Sequence, residues 1–94
     1  MAIRLIVTIT AAAGKGAELA QAYKARCEEV VKEPGCEQFE VFQSVVNPGK
    51  LAIIERWKDQ AALDAHARLA PPPFRPELRA GNTEREDYTY NRTR

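Results

Sequence analysis

The sequence predicts an α+β fold in which four antiparallel strands and two helices follow one another in the order βαββαβ. Some segments alternate apolar and polar residues as strands do, two others repeat apolar residues at helical spacing, and turn-forming glycines and prolines separate them. A chain of 94 residues, 45% of them hydrophobic, is enough for one core. We therefore expect one domain that spans residues 1–94.

The first strand lies close to the N-terminus. Its polar positions, Arg4, Thr8 and Thr10, alternate with the apolar positions Ile3, Leu5, Val7 and Ile9. This alternation favours a strand over a signal peptide, which the run LIVTIT followed by three alanines resembles. No run approaches the roughly 18 apolar residues of a membrane span. We therefore expect a cytoplasmic protein with no membrane partner.

The first helix is predicted from about residue 15 to residue 33. Apolar residues recur there at helical spacing, at Leu19, Ala20, Tyr23, Cys27, Val30 and Val31. Pro34 and Gly35 follow and end the helix.

A hairpin is predicted next, with one strand from Cys36 to Val46 and another from Leu51 to Trp57. Phe39, Val41 and Val45 share one face of the first of these strands, and Phe42 lies on the other face. The segment between the strands has proline at its second position and glycine at its third. That pattern predicts a type II turn over residues 47–50, with positive φ at the glycine.

The second helix is predicted to begin after Asp59, which can cap it, and to end at Ala70, because three prolines follow. After a short helical turn, a last strand from Glu84 to Arg92 carries Tyr88 and Tyr90 on one face. Two right-handed βαβ crossovers around the hairpin place both helices on one side of the sheet, in the ferredoxin-like arrangement.

The other side of that sheet has no helix to cover it. Ile6, Phe42 and Ile54 cannot all share a face with the other apolar residues of their strands. Apolar side chains are therefore expected on both faces, and a second copy of the chain is expected to cover the open one. The sequence thus predicts a twofold homodimer.

The net charge and the two cysteines argue against a nucleic-acid partner, a disulfide and a metal site. Fourteen basic and thirteen acidic residues leave a net charge of +1 without a basic patch, so a nucleic-acid partner is not expected. Cys27 and Cys36 are separated by eight residues, and reduced thiols are favoured over a disulfide or a metal site. A single histidine makes a zinc site an unfavourable interpretation.

The single tryptophan and the single histidine are the main candidates for chemistry. Trp57 ends the third strand, and His66 lies nine residues later at the edge of the second helix. A cleft between helices and sheet would bring them together with Tyr23 and with Tyr88 or Tyr90. The structural alternative is that Trp57 fills the core and that His66 is a satisfied structural residue at the edge of its helix. Charged residues around Trp57, namely Glu55, Arg56, Lys58 and Asp59, are interpreted as a solvated rim in which Arg56 could pair with a phenolate.

Other motifs carry less weight. Gly14-Lys15-Gly16 lacks the rest of a phosphate-binding loop and is interpreted as a turn. The third strand lacks the stacking aromatic residues of RNA-recognition modules, which share the βαββαβ order. A nucleophilic pair of Cys27 with His66 is disfavoured, because Cys27 lies on the apolar stripe of its helix.

The stretch EPGCEQFEVFQSVVNPGKLAIIERWKDQAALDAH resembles the antibiotic biosynthesis monooxygenase family. The residues that carry the resemblance are Pro34, Gly35, Glu55, Trp57, Asp59, Ala62, Leu63 and His66. It implies a homodimeric α+β barrel and oxygenation of an electron-rich aromatic compound by O2 without a metal or another cofactor.

In that mechanism His66 accepts or relays a phenolic proton and Trp57 forms a wall of the substrate site. The remaining substrate-binding candidates are Tyr23, Phe74, Tyr88 and Arg56. The alternative function is a non-catalytic dimeric module that binds a small molecule or serves a stress response. A purely structural interaction domain is a third alternative.

The chain departs from the family pattern in two places. Many members carry a second histidine beyond the first, where this chain has Pro73. The haem-degrading branch uses an asparagine in the first strand and a Trp–His pair later, whereas this chain has Val7, Thr8, His66 and Pro76 at those positions. Haem degradation is therefore not expected.

Overall fold

A computed structural model describes residues 2–69 and 74–90 and confirms the order βαββαβ. The strands are β1 Ala2–Ala11, β2 Cys36–Gln43, β3 Lys50–Trp57 and β4 Arg79–Tyr90, and the helices are α1 Gly16–Val30 and α2 Gln60–Leu69. A short 3-10 turn, Pro76–Leu78, precedes β4. The strands form one antiparallel sheet in the order β2-β3-β1-β4, the ferredoxin-like arrangement that the sequence predicts.

The two faces of the sheet follow from its register. Ile3 lies opposite Trp57, Leu5 opposite Glu55, and Ile9 opposite Leu51, so these side chains point to the same side. This side, called the helix face here, joins the buried residues of both helices in one core, among them Leu19, Tyr23, Ala62 and Leu63. Both helices therefore cover the helix face, as predicted.

The opposite side, called the open face here, is lined by the alternate residues of each strand. Its central row consists of Glu40, Ile54, Ile6 and Glu86, one residue from each strand. Ile6 and Ile54 are only half-buried, and Phe42 is 50% exposed. The prediction of apolar side chains on both faces is thus confirmed.

The hairpin between β2 and β3 differs from its prediction. β2 ends at Gln43, and the next two apolar residues, Val45 and Val46, are 98% and 89% exposed. The Ser44 hydroxyl accepts the backbone N–H groups of Val46 and Asn47, and this local bonding replaces further pairing with β3. Lys50 N–H does bond the Asn47 carbonyl at 2.9 Å, but Gly49 lacks a positive φ, so the type II turn was a wrong prediction.

Helix α1 stops at Val30, three residues before the predicted end. Lys32 and Glu33 donate to carbonyls three residues earlier, a tighter turn that leaves Val31 45% exposed. Gly35 then adopts φ +82°, and a Cβ there would lie 2.5 Å from Cβ of Ala62. Glycine is therefore needed at position 35 both for its backbone conformation and for the close approach of α2.

Strand β4 begins at Arg79, earlier than the predicted Glu84. Gly81 has φ +66°. It lies between Ala80, the partner of Thr10, and Glu84, the partner of Thr8, and the register of β1 against β4 shifts between these two pairs. The glycine therefore forms a β-bulge within the strand and does not separate it from the preceding turn. The predicted ends of α2 at Ala70 and of the last strand at Arg92 lie outside the described residues.

Candidate functional site

The two rings singled out by the sequence stack against each other. Trp57 is the last residue of β3 and has no exposed surface, while His66 follows in α2. Their ring centroids are 4.7 Å apart with planes 32° from parallel. The Asp59 carboxylate accepts the N–H of Ala62 at 2.9 Å and caps α2 as predicted, which fixes the start of the helix that carries the imidazole.

The His66 imidazole has a carboxylate partner. Its Nδ1 lies 2.8 Å from Oε1 of Glu33, in the turn between α1 and β2, and both side chains are less than one fifth exposed. With the proton on Nδ1, the ring donates to Glu33 and keeps the lone pair of Nε2 for another proton. Phe39 flanks the ring at a centroid distance of 6.0 Å. The Glu33 carboxylate thus sets the tautomer and the orientation of the His66 imidazole, which can act as a base.

Glu55 is a buried carboxyl on the helix face, only 5% exposed. Its Oε1 accepts the indole N–H of Trp57 at 2.9 Å. Burial raises the pKa of Glu55, and the hydrogen bond from Trp57 and the charges of His66 and Arg85 offset only part of that effect. The interpretation of Glu55 as part of a solvated rim is therefore wrong, because strand alternation points it into the core.

Tyr23 and Phe74 lie on the same side of the sheet as this group. Their ring centroids are 4.8 Å apart, and Tyr23 belongs to the same core as Trp57, with Phe74 packed against it. Burial raises the pKa of the Tyr23 phenol, with smaller opposing effects from Arg79 and Arg26. Tyr23 therefore remains a neutral hydrogen-bonding group at physiological pH.

Arg56 and Tyr88 do not join the other candidates. Each lies opposite Arg4 in the register of the sheet, which places both on the open face, away from Trp57 and His66. Arg56 lies 3.3 Å from a Glu37 carboxylate oxygen, and the Tyr88 hydroxyl donates to Glu86. The expectation that Tyr88 can line the same cleft as Trp57 and His66 is corrected, because adjacent strand positions point to opposite faces.

An open groove of about 590 Å³ lies between α1 and β2. Tyr23, Cys27 and Val41 line it, but Trp57 and His66 do not. Burial raises the pKa of the Cys27 thiol and raises that of Cys36 to about 11. Neither free thiol therefore has the lowered pKa of an activated nucleophile, which speaks against the pairing of Cys27 with His66.

Sequence reasoning missed the roles of Glu33 and Glu55. Glu55 follows Leu51 and Ile53 on the apolar face of a strand, so a charged residue at that position was the available signal. Glu33 gave no such signal, since its contact with His66 spans 33 positions of the chain.

No helix within the described ranges is long and apolar enough to cross a membrane. In the same ranges, no three His, Cys, Asp or Glu side chains lie together as a metal site would require.

The family model described as antibiotic biosynthesis monooxygenase matches residues 2–72. A conserved protein from Methanosarcina mazei Go1 is 31% identical, with 97% of this chain and 94% of that chain covered and a TM-score of 0.83. The protein PA3566 from Pseudomonas aeruginosa is 27% identical, with coverage of 97% and 95% and a TM-score of 0.78. Rv0793 from Mycobacterium tuberculosis shares the fold at 19% identity, with coverage of 99% and 98% and a TM-score of 0.82. No curated protein matches the chain significantly.

Proposed function

This chain belongs to the antibiotic biosynthesis monooxygenase family, and we propose that it is a cofactor-independent monooxygenase acting on an electron-rich aromatic compound such as a quinol, an anthrone or a polycyclic phenol. The observation that carries the proposal is the imidazole of His66, stacked on Trp57 with Nδ1 bonded to Glu33. Such an imidazole can accept a phenolic proton at Nε2.

The proposed reaction begins when the substrate O–H bond breaks and its proton moves to Nε2 of His66. The electron-rich phenolate then gives one electron to O2, and the resulting organic radical and superoxide combine into a peroxide. Loss of water leaves one oxygen atom on the ring system and carries away the other, so no external reductant is consumed. The protein supplies deprotonation, orientation and exclusion of water.

Two residues would position the base without acting on the substrate. Glu33 holds the proton on Nδ1, which keeps Nε2 available as the acceptor. Trp57 has no exposed surface, so it supports the imidazole from one side and does not itself offer a face to the substrate. This assigns Trp57 a positioning role in place of the substrate wall expected from the sequence.

The test is oxygen uptake by chelator-treated, flavin-free protein supplied with hydroquinone, a naphthoquinol or anthrone. Uptake above the rate without protein is expected, with one O2 consumed for each product molecule. Added catalase should return no oxygen, because the second oxygen atom leaves as water and not as hydrogen peroxide. Absence of uptake with every compound would refute the monooxygenase. Quenching of Trp57 fluorescence without uptake would then favour the non-catalytic binding module.

The open face supports a further part of the proposal, that two copies form a homodimer through it. The half-buried Ile6 and Ile54 lie at its centre, Arg4 and Arg56 at one end, and carboxylates at both edges. A face with an apolar centre and charges of both signs can pair with a twofold copy of itself. We also propose a cytoplasmic location, in which both free thiols stay reduced.

Light scattering tests the dimer. The wild type is expected at twice its chain mass of 10.5 kDa, and Ile54→Lys is expected to shift it to the monomer, because a charge at the centre of the interface would lose its hydration. Val45→Lys is the matched control, since Val45 is 98% exposed in the β2–β3 loop. A monomeric wild type, or an Ile54→Lys variant that remains dimeric, would contradict the interface.

A further inference from the structure

Glu55 occupies the middle of the sheet on the helix face. Its direct neighbours across the strands are Phe39 on β2 and Leu5 on β1, both buried. Oε1 is bonded to the indole N–H of Trp57, and within residues 2–69 and 74–90 Oε2 has no hydrogen-bond partner. Oε2 is not one of the fully buried side-chain atoms without a partner, so it keeps some contact with solvent although the residue is 5% exposed. A carboxyl group so placed in an apolar layer, with one oxygen open and not otherwise used, calls for an explanation.

Titratable groups on all the surrounding elements lie near enough to Glu55 to interact with its charge. Tyr23 comes from α1, His66 from α2, Cys36 from β2, and Arg85 and Asp87 from β4. Arg85 is already bound to Asp87 through two hydrogen bonds of 2.7 Å. Among the described residues, no lysine or arginine forms an ion pair with Glu55. The carboxylate is therefore not neutralised by a cation, and its free oxygen remains available to a hydrogen-bond donor.

We propose that Glu55 is a further catalytic residue of the site proposed above, in which Oε2 accepts the hydrogen bond and then the proton of a second substrate hydroxyl group, other than the one that gives its proton to Nε2 of His66. The substrate O–H bond breaks, a bond forms between the proton and Oε2, and the negative charge moves to the substrate oxygen. Oε1 stays bonded to Trp57 throughout, which fixes the direction of Oε2. This inference rests on the proposed function for one point, that the bound compound is an aromatic alcohol.

A purely structural role for Glu55 explains less. Holding the Trp57 N–H needs one acceptor, which a neutral amide supplies at lower desolvation cost than a carboxylate. The environment that disfavours the carboxylate also makes it a stronger base once it is ionised, and this suits the removal of a proton from a weak acid. Burial beside the Trp57 N–H therefore gives the group a chemical use as well as a structural one.

A binding experiment separates the two roles. Hydroquinone and 1,4-dimethoxybenzene have similar rings, but only hydroquinone can donate a hydrogen bond. Their affinities are measured without oxygen, from the fluorescence of Trp57, for the wild type, Glu55→Gln and the control Glu37→Gln. Glu37 is a more exposed carboxylate on β2 that pairs with Arg56 on the open face. Thermal unfolding shows whether each variant is folded.

The wild type and Glu37→Gln are expected to bind hydroquinone at least about tenfold more tightly than 1,4-dimethoxybenzene. A hydrogen bond to a charged group contributes that much to affinity. Glu55→Gln is expected to lower that preference by about tenfold, the share of one hydrogen bond to a charged group, while His66 still accepts from the other hydroxyl. Its amide oxygen can retain the bond from Trp57, but its NH2 group then takes the place of Oε2 and cannot accept a proton. Equal binding of both compounds by the wild type, or an unchanged preference in Glu55→Gln, would overturn the proposal.

Oxygen uptake distinguishes this proposal from the proposed function. If the wild type consumes oxygen, Glu55→Gln should lower the rate by about 100-fold or more, within the range of a lost acid–base group. If Glu55→Gln consumes oxygen at the wild-type rate, the monooxygenase stands and the role of Glu55 fails. If the wild type prefers hydroquinone but consumes no oxygen, Glu55 is a binding residue and the monooxygenase fails.

Discussion

Replacement of His66 by alanine is expected to lower oxygen uptake by about 100- to 10,000-fold, the usual contribution of a general base. The variant removes the imidazole nitrogen proposed to accept the substrate proton, and the other polar side chains of the site remain. The measurement is the steady-state rate with an anthrone or a quinol across a range of pH. A folded His66→Ala protein with an unchanged rate would exclude His66 from the mechanism.

Control variants show whether the lower rate of oxygen uptake in His66→Ala comes from the lost imidazole or from damage to α2. Arg68→Ala is the matched control, since Arg68 is exposed on the same helix and should leave the rate unchanged. Glu33→Gln should give an intermediate loss, because an amide can turn its NH2 group toward Nδ1 and favour the tautomer with the proton on Nε2. Equal losses in Arg68→Ala and His66→Ala would indicate a structural effect and not a lost base.

Replacement of Trp57 by alanine is expected to reduce the free energy of unfolding by about 3–5 kcal/mol, the usual cost of removing a buried aromatic ring. Trp57 is the largest of the fully buried side chains, and its loss also leaves Oε1 of Glu55 without its donor. For a domain of this size such a loss is a large share of the total stability. Urea unfolding followed by circular dichroism at one protein concentration measures the change.

Two further variants divide the Trp57 effect into its parts. Trp57→Phe keeps an aromatic ring beside His66 but removes the N–H group, so it should cost about 1–3 kcal/mol from the unpaired Glu55 oxygen. Leu69→Ala, at a position 69% exposed in α2, should change stability by less than about 0.5 kcal/mol. A Trp57→Ala protein as stable as the wild type would contradict the packing described for the core.

Local periodicity was sufficient to predict most of the fold. Alternation placed Ile3, Leu5 and Ile9 on one face of β1, and helical spacing placed Leu19 and Tyr23 in the core. These predictions succeed because a side chain's direction depends on the few residues around it. The end of β2 was missed because a pattern of apolar residues does not show where pairing with the next strand stops.

The candidate site was only partly predictable, because it depends on contacts between distant parts of the chain. The stacking of Trp57 and His66 follows from a strand that leads directly into a helix, a local feature of the sequence. The position of Tyr88 depends on how β4 pairs with β1, which composition does not reveal. The bond between Glu33 and His66 requires the final packing of α2 against the turn after α1.

The strand order has a consequence for how the chain acquires its structure during synthesis. β1 is made first, yet it is a central strand whose two neighbours are β3 and β4. On the ribosome, the alternating apolar face of β1 therefore has no sheet partner until residues 50–57 have emerged, and one edge remains unpaired until residues 79–90 follow. Such long-range pairing slows folding and prolongs the exposure of apolar surface. The nascent chain is thus expected to depend on chaperones most while its last strand is still inside the ribosome.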